Sequence, residues 1–488
     1  MKLLPRSIHH ALLDACLTVI VWGTLAFGAV YPWAHVPLAI ACGAIGVTAL
    51  VVERRGHPPV VGLAVGLTAI GVAIALQLVP LPLPALARVS PGTDTFLIQY
   101  DLAYQFARWG DPSGEPVPGA APRVLHAVSI APVKTARAAM LFAGFALFFL
   151  GTSRVLSVLG AKTLSRLLIA FGIVLAVGGI VQRGLTATDL RPAIYGFWRP
   201  RFESNPFGPF VNPNHFAGWM LMVLPLAFAA FLDALLQAIE SRPRRGRRIG
   251  VLSSPEFGLA LAIGAACLVM GLSLLMTGSR SGLAAFVIGS MLTAGILSRR
   301  QASRPTKAAV TASVLALLLG AVMWSGLDAI VDKFTQSEGP KSLVSRVGAW
   351  KDTVQIIRHF PLTGAGLDTY GTAMILYQTQ NRLVHFQEAH NDYLQLAAEG
   401  GLLVGIPALA TLTVFVRAVR RRFREAPKAG STYCLRIGAV AGLISIALQS
   451  LVDFSLQMPA NAALCAVLAA IAAHQSPSLA VLRRPATR

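Results

Sequence analysis

The sequence predicts an all-α, polytopic integral membrane protein with about twelve transmembrane helices and a large loop between spans 9 and 10. Three observations predict this class. The 488 residues are 55% hydrophobic and 13% charged, with a mean hydropathy of +0.63, which is too apolar for a soluble globular protein. Apolar runs of roughly 20 residues, the length that crosses a bilayer, recur along the chain. Basic residues concentrate in alternate segments between these runs.

The apolar runs give the predicted spans in order. They lie at residues 11–30, 36–52, 60–80, 136–151, 164–182, 214–236, 257–276, 281–298, 308–327, 392–416, 433–452 and 459–474. The first run follows Lys2 and Arg6 like the apolar core of a signal peptide. Because a polytopic body follows it, we expect an uncleaved first span.

The charge distribution predicts the orientation. A formal charge of +21 raises nucleic acid as a partner. With the N-terminus inside, however, most Lys and Arg residues fall in segments that alternate to the cytoplasm, and the outside segments hold most of the acids. This positive-inside pattern predicts a multi-pass protein of the cytoplasmic membrane with both termini in the cytoplasm, and no nucleic-acid partner. The five cysteines lie in or at the ends of spans, so we expect no disulfide.

Four parts follow from the span assignment. Residues 1–135 hold spans 1–3 and an outside loop; 136–327 hold spans 4–9; 328–391 form the large outside loop with amphipathic helices; 392–488 hold spans 10–12 and a basic cytoplasmic tail. The Pro-rich loop 81–135 predicts irregular backbone with one short helix. In the second loop, SRVGAWKDTVQIIRHFP predicts a surface helix that stops at Pro361, and a second helix is expected through MILYQTQNRLVHFQ.

The stretch HFQEAHNDYLQLAAEGG, residues 385–401, places many ionisable groups at the mouth of span 10. Asn391 and Asp392 suit a helix cap, and Tyr393 follows them as a substrate-binding candidate. His390 suits a general base for transfer to a hydroxyl; a capping histidine is the alternative. The spacing H-x-x-E-x-H is not the H-E-x-x-H zinc motif, and the chain has no D-x-D. We therefore expect no metal and no cofactor.

Two arginines are candidate anion ligands. Arg280 lies in the short turn TGSRSG between two predicted spans, where an ionisable side chain is a functional candidate; the alternative is an arginine that reaches lipid headgroups. Arg346 opens the surface helix and suits a bidentate grip on phosphate; the alternative is a solvated arginine. Arg280, Arg346 and His390 fall on one side of the membrane, which suits a diphosphate donor whose lipid stays in the bilayer.

Further substrate-binding candidates lie around the predicted start of span 6. In FGPFVNPNHFAGWM, Asn212 and Asn214 are capping types and His215 falls in the first helical turn. Arginines alternate with aromatic residues just upstream, which suits either a sugar or phosphate platform or an aromatic belt. These arginines are Arg191, Arg199 and Arg201. Asp453, in the turn between the last two spans, could bind a substrate or cap a helix.

Four motifs in this order resemble the O-antigen ligase and polymerase superfamily. They are TGSRSGLAAF, SRVGAWKDTV, HNDYLQLAAEGGLLVG and DFSLQMPANA, and the resemblance covers roughly residues 205–475. It implies a GT-C-type glycosyltransferase that moves a glycan from undecaprenyl diphosphate to an acceptor hydroxyl on the periplasmic side, without metal and with inversion. By motif, Arg280 and Arg346 correspond to diphosphate-binding arginines, and His390 corresponds to the essential histidine.

The resemblance leaves the acceptor open. Ligases transfer to lipid A core, whereas polymerases transfer to another lipid-linked repeat unit, and both share these motifs. A transporter or flippase of lipid-linked sugars is a third alternative, but it should carry polar groups or broken helices at the midplane of several spans. The middle of most predicted spans is apolar, which favours the transferase.

Overall fold

The computed structural model describes residues 6–52, 61–109, 125–186, 189, 192–200, 205–240, 255–300, 338–380, 382, 384–425 and 430–475. This part of the chain folds into sixteen α-helices and one two-stranded sheet, so the predicted all-α class is confirmed. In chain order the helices are α1 (Arg6–Leu25), α2 (Pro32–Val52), α3 (Val61–Gln77), α4 (Leu83–Val89), α5 (Pro91–Tyr100), α6 (Leu102–Trp109), α7 (Pro132–Leu159), α8 (Lys162–Leu185), α9 (Pro213–Glu240), α10 (Pro255–Met276), α11 (Arg280–Arg300), α12 (Glu338–His359), α13 (Tyr370–Tyr377), α14 (Asp392–Glu425), α15 (Ser431–Gln449) and α16 (Pro459–Ala473).

Eight of the described helices are long and apolar enough to cross a membrane, namely α1, α2, α7, α8, α9, α10, α14 and α15. The protein is therefore a multi-pass membrane protein. At two other predicted spans lie α3 and α16, which are apolar but shorter, and α11 covers the predicted span 281–298. The predicted span 308–327 lies outside the described residues, so the number twelve stays a prediction.

Small residues let the helices of the bundle approach closely. At the crossing of α2 and α7, a Cβ added to Gly46 would lie 2.3 Å from the carbonyl oxygen of Leu147, and one added to Gly151 would lie 2.6 Å from the Cα of Gly46. Close backbone approach through small residues is how helices associate in lipid, where apolar side chains gain little by leaving the bilayer. The contact explains why these two apolar helices carry glycines in their middle.

A second, smaller core lies at one end of the bundle. We call this part the cap layer; it comprises α4–α6, α12, α13 and the antiparallel strands β1 (Pro80–Pro82) and β2 (Leu125–Ala127). Phe96 of α5 and Phe360 after α12 are buried in the same cluster. The expectation of an irregular loop with one short helix over 81–135 understated the helical content: α5 and α6 cover the segment predicted as one helix, and α4 precedes them. Each of the three contributes a buried side chain to this cluster, namely Leu86, Phe96 and Tyr104.

The loop 328–391 follows the prediction in part. The surface helix is present as α12 and ends at His359, just before Pro361, as predicted. It begins at Glu338 and not at Ser345, so Arg346 lies inside the helix and does not open it. The second helix was predicted too long, because α13 ends at Tyr377 and the backbone after it is not helical. Asp352 holds the backbone just after α13. Its carboxylate accepts hydrogen bonds from the backbone N–H groups of Thr379 and Gln380, both at 3.0 Å.

The predicted span 392–416 is interrupted near its start. Gly401 has φ 54° and ψ −159°, which breaks α14 into a short first segment and a long apolar second segment. The loop after α12 fills the break: the N–H groups of Leu402 and Leu403 donate to the carbonyls of Pro361 and Leu362 at 3.0 and 2.8 Å. A Cβ at Gly401 would lie 2.4 Å from the nitrogen of Gly364, so this junction requires glycine.

We predict that Gly46→Ala destabilises the folded protein by about 1–3 kcal/mol, because the new methyl group overpacks the crossing of α2 and α7. The measurement is the thermal unfolding midpoint in detergent. Gly178→Ala is the matched control, since Gly178 is also helical and a Cβ there meets nothing within 4 Å. An unfolding midpoint of Gly46→Ala equal to that of the control would contradict the close approach.

Candidate active site

Three distant segments of the chain meet at the turn between α15 and α16, residues 450–458. Its carbonyl groups accept hydrogen bonds from outside the turn. The N–H of Asp392 donates to the Ser450 oxygen at 3.0 Å, and the side-chain amide of Asn391 donates to the Leu451 oxygen at 2.9 Å. The guanidinium of Arg346 donates to the Val452 oxygen at 2.7 Å. The turn thus fixes α12, through Arg346, relative to the start of α14.

Asn391 caps α14 as predicted. Its side-chain oxygen accepts hydrogen bonds from the N–H groups of Tyr393 and Leu394, both at 3.0 Å. Such a cap satisfies two of the four N–H groups that a helix start leaves unpaired. Tyr393, predicted as a substrate ligand, is half-exposed, and its hydroxyl donates to the Ala447 oxygen at 2.9 Å. Tyr393 therefore ties α14 to α15 in this structure.

His390 is held in a strained position just before this cap. Its φ is 51°, which L-residues other than glycine adopt only at a cost. The ring packs edge-to-face on Phe454, with 4.8 Å between the ring centroids. Its Nδ1 is buried and has no hydrogen-bond partner among the residues that the structure describes. Burial, and then the positive charge of Arg346, lower the pKa of His390 from 6.5 to about 4, so the imidazole is neutral at pH 7 and can accept a proton.

Asp453 is fully buried beneath Arg346. Its Oδ2 lies 3.9 Å from Nη2 of Arg346, and its Oδ1 accepts a hydrogen bond from the N–H of Phe454 at 2.8 Å. Burial raises the pKa of Asp453, and Arg346 opposes that shift. Asp453 thus contacts the turn and Arg346, and its two predicted roles, substrate binding and helix capping, stay predictions.

The start of α9 also contacts the turn formed by residues 450–458. The oxygen of Asn212 accepts a hydrogen bond from the N–H of Asn214 at 2.9 Å, so Asn212 caps the helix. The carbonyl of Asn214 accepts a hydrogen bond from the hydroxyl of Ser455 at 3.3 Å. His215 is buried and also packs on Phe454, with 4.7 Å between the ring centroids. Phe454 therefore contacts both histidines.

Arg280 begins α11 beside this helix start. Two residues later, a Cβ at Gly282 would lie 3.0 Å from the Cβ of Ala217, which follows His215 by two positions. The hydroxyl of Ser279 accepts a hydrogen bond from the N–H of Gly282 at 3.2 Å, which caps α11. Arg280 is half-buried. The structure thus brings Arg280, Arg346, His390, Asn391, Asn212, Asn214, His215 and Asp453 to one end of the bundle.

The arginines upstream of α9 differ in outcome. Arg199 is exposed and follows an aromatic turn that lies against the connection between α1 and α2. Arg191 and Arg201 lie outside the described residues.

Sequence reasoning missed Phe454 and the polar group formed by Glu388, Gln395 and Glu399. Phe454 stood inside a quoted motif, but nothing in its local pattern predicts contact with two histidines. The amide of Gln395 donates to Glu388, and the carboxylate of Glu399 accepts from the N–H of Tyr370 at 2.8 Å. Burial raises the pKa of Glu388 to about 7, although the Gln395 amide opposes the shift. The spacing of Glu388, Gln395 and Glu399, with three intervening residues between the last two, was the available signal.

In the part of the chain that the structure describes, no three His, Cys, Asp or Glu side chains are grouped so as to hold a metal ion. His385 is exposed, and Glu388 is engaged by Gln395. The expectation of transfer without a metal stays a prediction.

A family model matches part of the chain. Residues 265–409 match the O-antigen ligase family model. This match confirms the predicted resemblance to the O-antigen ligase and polymerase superfamily, and it includes Arg280, Arg346, His390 and the break in α14 at Gly401. No curated protein sequence matches the chain significantly. The O-antigen ligase domain supports a transferase-type enzyme of polysaccharide biosynthesis that works on lipid-linked glycans and saccharides at a membrane.

Proposed function

We propose that the protein is an O-antigen ligase-like glycosyltransferase of the GT-C type in cell-surface polysaccharide or lipopolysaccharide biosynthesis. It moves a glycan from undecaprenyl diphosphate to an acceptor hydroxyl on the periplasmic side of the inner membrane. The acceptor is lipid A core in the ligase reaction. The alternative with the same chemistry is a polymerase that extends a lipid-linked repeat unit, and the further alternative is a transporter or flippase of lipid-linked sugars.

One observation supports this proposal most: a neutral histidine with a buried, partner-free nitrogen lies beside an arginine, both fixed by one turn. Arg346 donates to Val452, and His390 packs on Phe454, two residues later. A guanidinium has five N–H donors, so Arg346 can hold this carbonyl and bind phosphate oxygens as well. A base next to a cation is what attack on a sugar diphosphate requires.

The reaction needs no covalent intermediate. His390 takes the proton of the acceptor hydroxyl, and the oxygen attacks the anomeric carbon on the face opposite the diphosphate. The bond between that carbon and the diphosphate oxygen breaks, so the configuration inverts. Arg280 and Arg346 stabilise the negative charge of the departing undecaprenyl diphosphate. The proton on His390 passes to solvent before the next turnover. In this mechanism the chain's own side chains supply every charge, and no metal takes part.

Donor binding also tunes the base. In the free protein the charge of Arg346 adds to burial in lowering the pKa of His390. A bound diphosphate places negative charge next to Arg346 and offsets that effect, so the pKa of His390 should rise towards its ordinary value. The histidine thus becomes a stronger base when the donor is in place.

The first experiment tests the reaction itself. Protein purified in detergent is incubated with undecaprenyl-diphosphate-linked repeat units, with and without lipid A core, and the products are separated on a gel. We expect product only when lipid A core is present, because the proposal is a ligase. A ladder from the donor alone would identify a polymerase, and the absence of glycosidic product under both conditions would leave transport as the function.

Variants of the three candidate residues test the mechanism. We expect His390→Ala, Arg280→Ala and Arg346→Ala each to lower transfer by about 100-fold or more, because each loses a proton acceptor or a charge at the leaving group. Two neighbours serve as matched controls: His385→Ala and Lys351→Ala remove exposed side chains of the same types and should leave transfer within about twofold. Full activity of the folded His390→Ala protein would refute the role of His390 as the general base.

The pH profile tests the electrostatics. Since burial and Arg346 lower the pKa of His390 to about 4 in the free protein, we expect kcat/KM for the donor to stay level from pH 7 to pH 5 and fall only near pH 4. An ordinary histidine would lose activity near about pH 6.5. The acid limb of kcat, which reports the donor complex, should lie at higher pH than that of kcat/KM. If the acid limbs of kcat and kcat/KM coincided, the proposed effect of donor binding on the pKa of His390 would be wrong.

A further inference from the structure

Two segments distant in sequence build an exposed aromatic surface at the same end of the bundle. We call it the aromatic patch; it comprises Phe27, Tyr31 and Trp33 from the connection between α1 and α2, and Tyr195, Phe197 and Trp198 from the segment before α9. Phe27 is buried at its centre, with ring centroids 4.7 Å from Trp198 and 5.7 Å from Tyr195. The outer rings therefore rest on a fixed base.

The backbone beneath the patch is strained. Phe27, Gly28 and Ala29 have φ of 59°, 69° and 57°, so three consecutive residues are left-handed. Tyr195 and Gly196 also have positive φ, at 56° and 78°, and the backbone of Ile194 pairs with that of Trp198 as in a hairpin turn. A left-handed residue with a side chain costs about 1–2 kcal/mol. A belt that only needs aromatic rings near lipid headgroups gives no reason for this strain.

The strain serves to hold rings outward with their faces accessible. Phe197 is 78% exposed, Trp33 is 54% exposed and Tyr195 is 47% exposed. The rings form two nearly parallel pairs: Tyr31 and Trp33 lie at 8° to each other, and Tyr195 and Phe197 at 25°. Ring faces are electron-rich, and they attract the C–H groups on the apolar face of a pyranose. Arg199 follows the turn and is exposed, so it can donate hydrogen bonds to hydroxyl or carboxylate groups of a sugar.

Packed side chains connect the patch to the candidate active site. A Cβ added to Gly28 would lie 2.9 Å from the nearest ring atom of Phe210. The ring centroids of Phe210 and Phe216 are 6.0 Å apart. Phe216 directly follows His215. In addition, the indole N–H of Trp219 donates to the hydroxyl of Thr24, just before the left-handed turn, at 3.1 Å. The patch is therefore positioned by the same helix start that contacts Phe454.

We propose that the aromatic patch is a subsite for the glycan chain, in which pyranose rings stack on Phe197, Tyr195 and Trp33. This inference rests on the proposed function, since a glycan held at the patch extends from the sugar whose anomeric carbon lies at His390. The site recognises the ring faces of a saccharide rather than a lipid, and it contributes to glycan affinity without taking part in the chemical step.

The test asks whether binding requires an aromatic ring or only an apolar side chain of similar size. Binding is measured with a fluorescently labelled oligosaccharide, released by mild acid from the source cells' undecaprenyl-diphosphate-linked glycan, and with the full chain carrying His390→Ala. In that protein we expect Phe197→Leu, which keeps an apolar side chain, to weaken the Kd about fivefold. Phe197→Tyr keeps the ring and should bind within about twofold of the parent. Trp109→Ala is the control, because Trp109 is 67% exposed on α6, and it should not change the Kd.

The results decide whether the aromatic patch is a glycan subsite. If Phe197→Leu binds the oligosaccharide as tightly as the parent, or if the parent shows no saturable binding, the subsite is refuted and the patch is a contact for membrane lipid, which accepts leucine as well as phenylalanine. Because binding is measured without turnover, this failure is distinct from failure of the proposed reaction, which would show as transfer by the His390→Ala protein.

Discussion

The hydrogen-bonding capacity of one turn, residues 450–458, is the constraint on which the site depends. Backbone groups near the level of a bilayer must find partners within the protein, because lipid offers none. Here the carbonyls of Ser450 and Leu451 find them at the start of α14, and the carbonyl of Val452 finds one in Arg346 of α12. On the other side, the hydroxyl of Ser455 reaches the carbonyl that Asn214 exposes in the first turn of α9. The hydrogen bonds that satisfy the backbone groups of this turn therefore bring the parts of the site together.

The interruption of α14 follows from the same constraint. A break in a membrane helix exposes backbone groups, and these are tolerated only where protein covers them. At Gly401 the loop after α12 supplies the covering, and the amide of Gln77 donates to the carbonyls of Thr363 and Glu399 at 2.7 and 2.8 Å. The first segment of α14, which follows Asn391 and carries Glu399, is thereby held both by the loop after α12 and by Gln77 at the end of α3. The described parts of the loops 81–135 and 328–391 share one core and support this segment together.

Electrostatics give the site its chemistry. Two cations and a buried histidine would repel one another if all were charged, so burial and Arg346 keep His390 neutral. The buried carboxylate of Asp453 lies near the guanidinium of Arg346. The free site is consequently rich in positive charge on its arginines while retaining a proton acceptor. This combination suits the anionic leaving group of the proposed reaction, and in that proposal the strength of the base depends on whether the donor is bound.

The sequence by itself determined the membrane-spanning character, most helix positions and the local caps. Apolar run length and the residue at a helix start act over a few positions, so Asn212 and Asn391 were predictable as caps. The motifs also identified Arg280, Arg346 and His390 as candidates. Only the tertiary structure decided that Phe454 contacts both His215 and His390, that three short helices fold over 81–109, and that α14 breaks at Gly401. These features arise from contacts such as that of Asn461 with His215, 246 positions apart, and local patterns carry no information about which distant surfaces will satisfy each other.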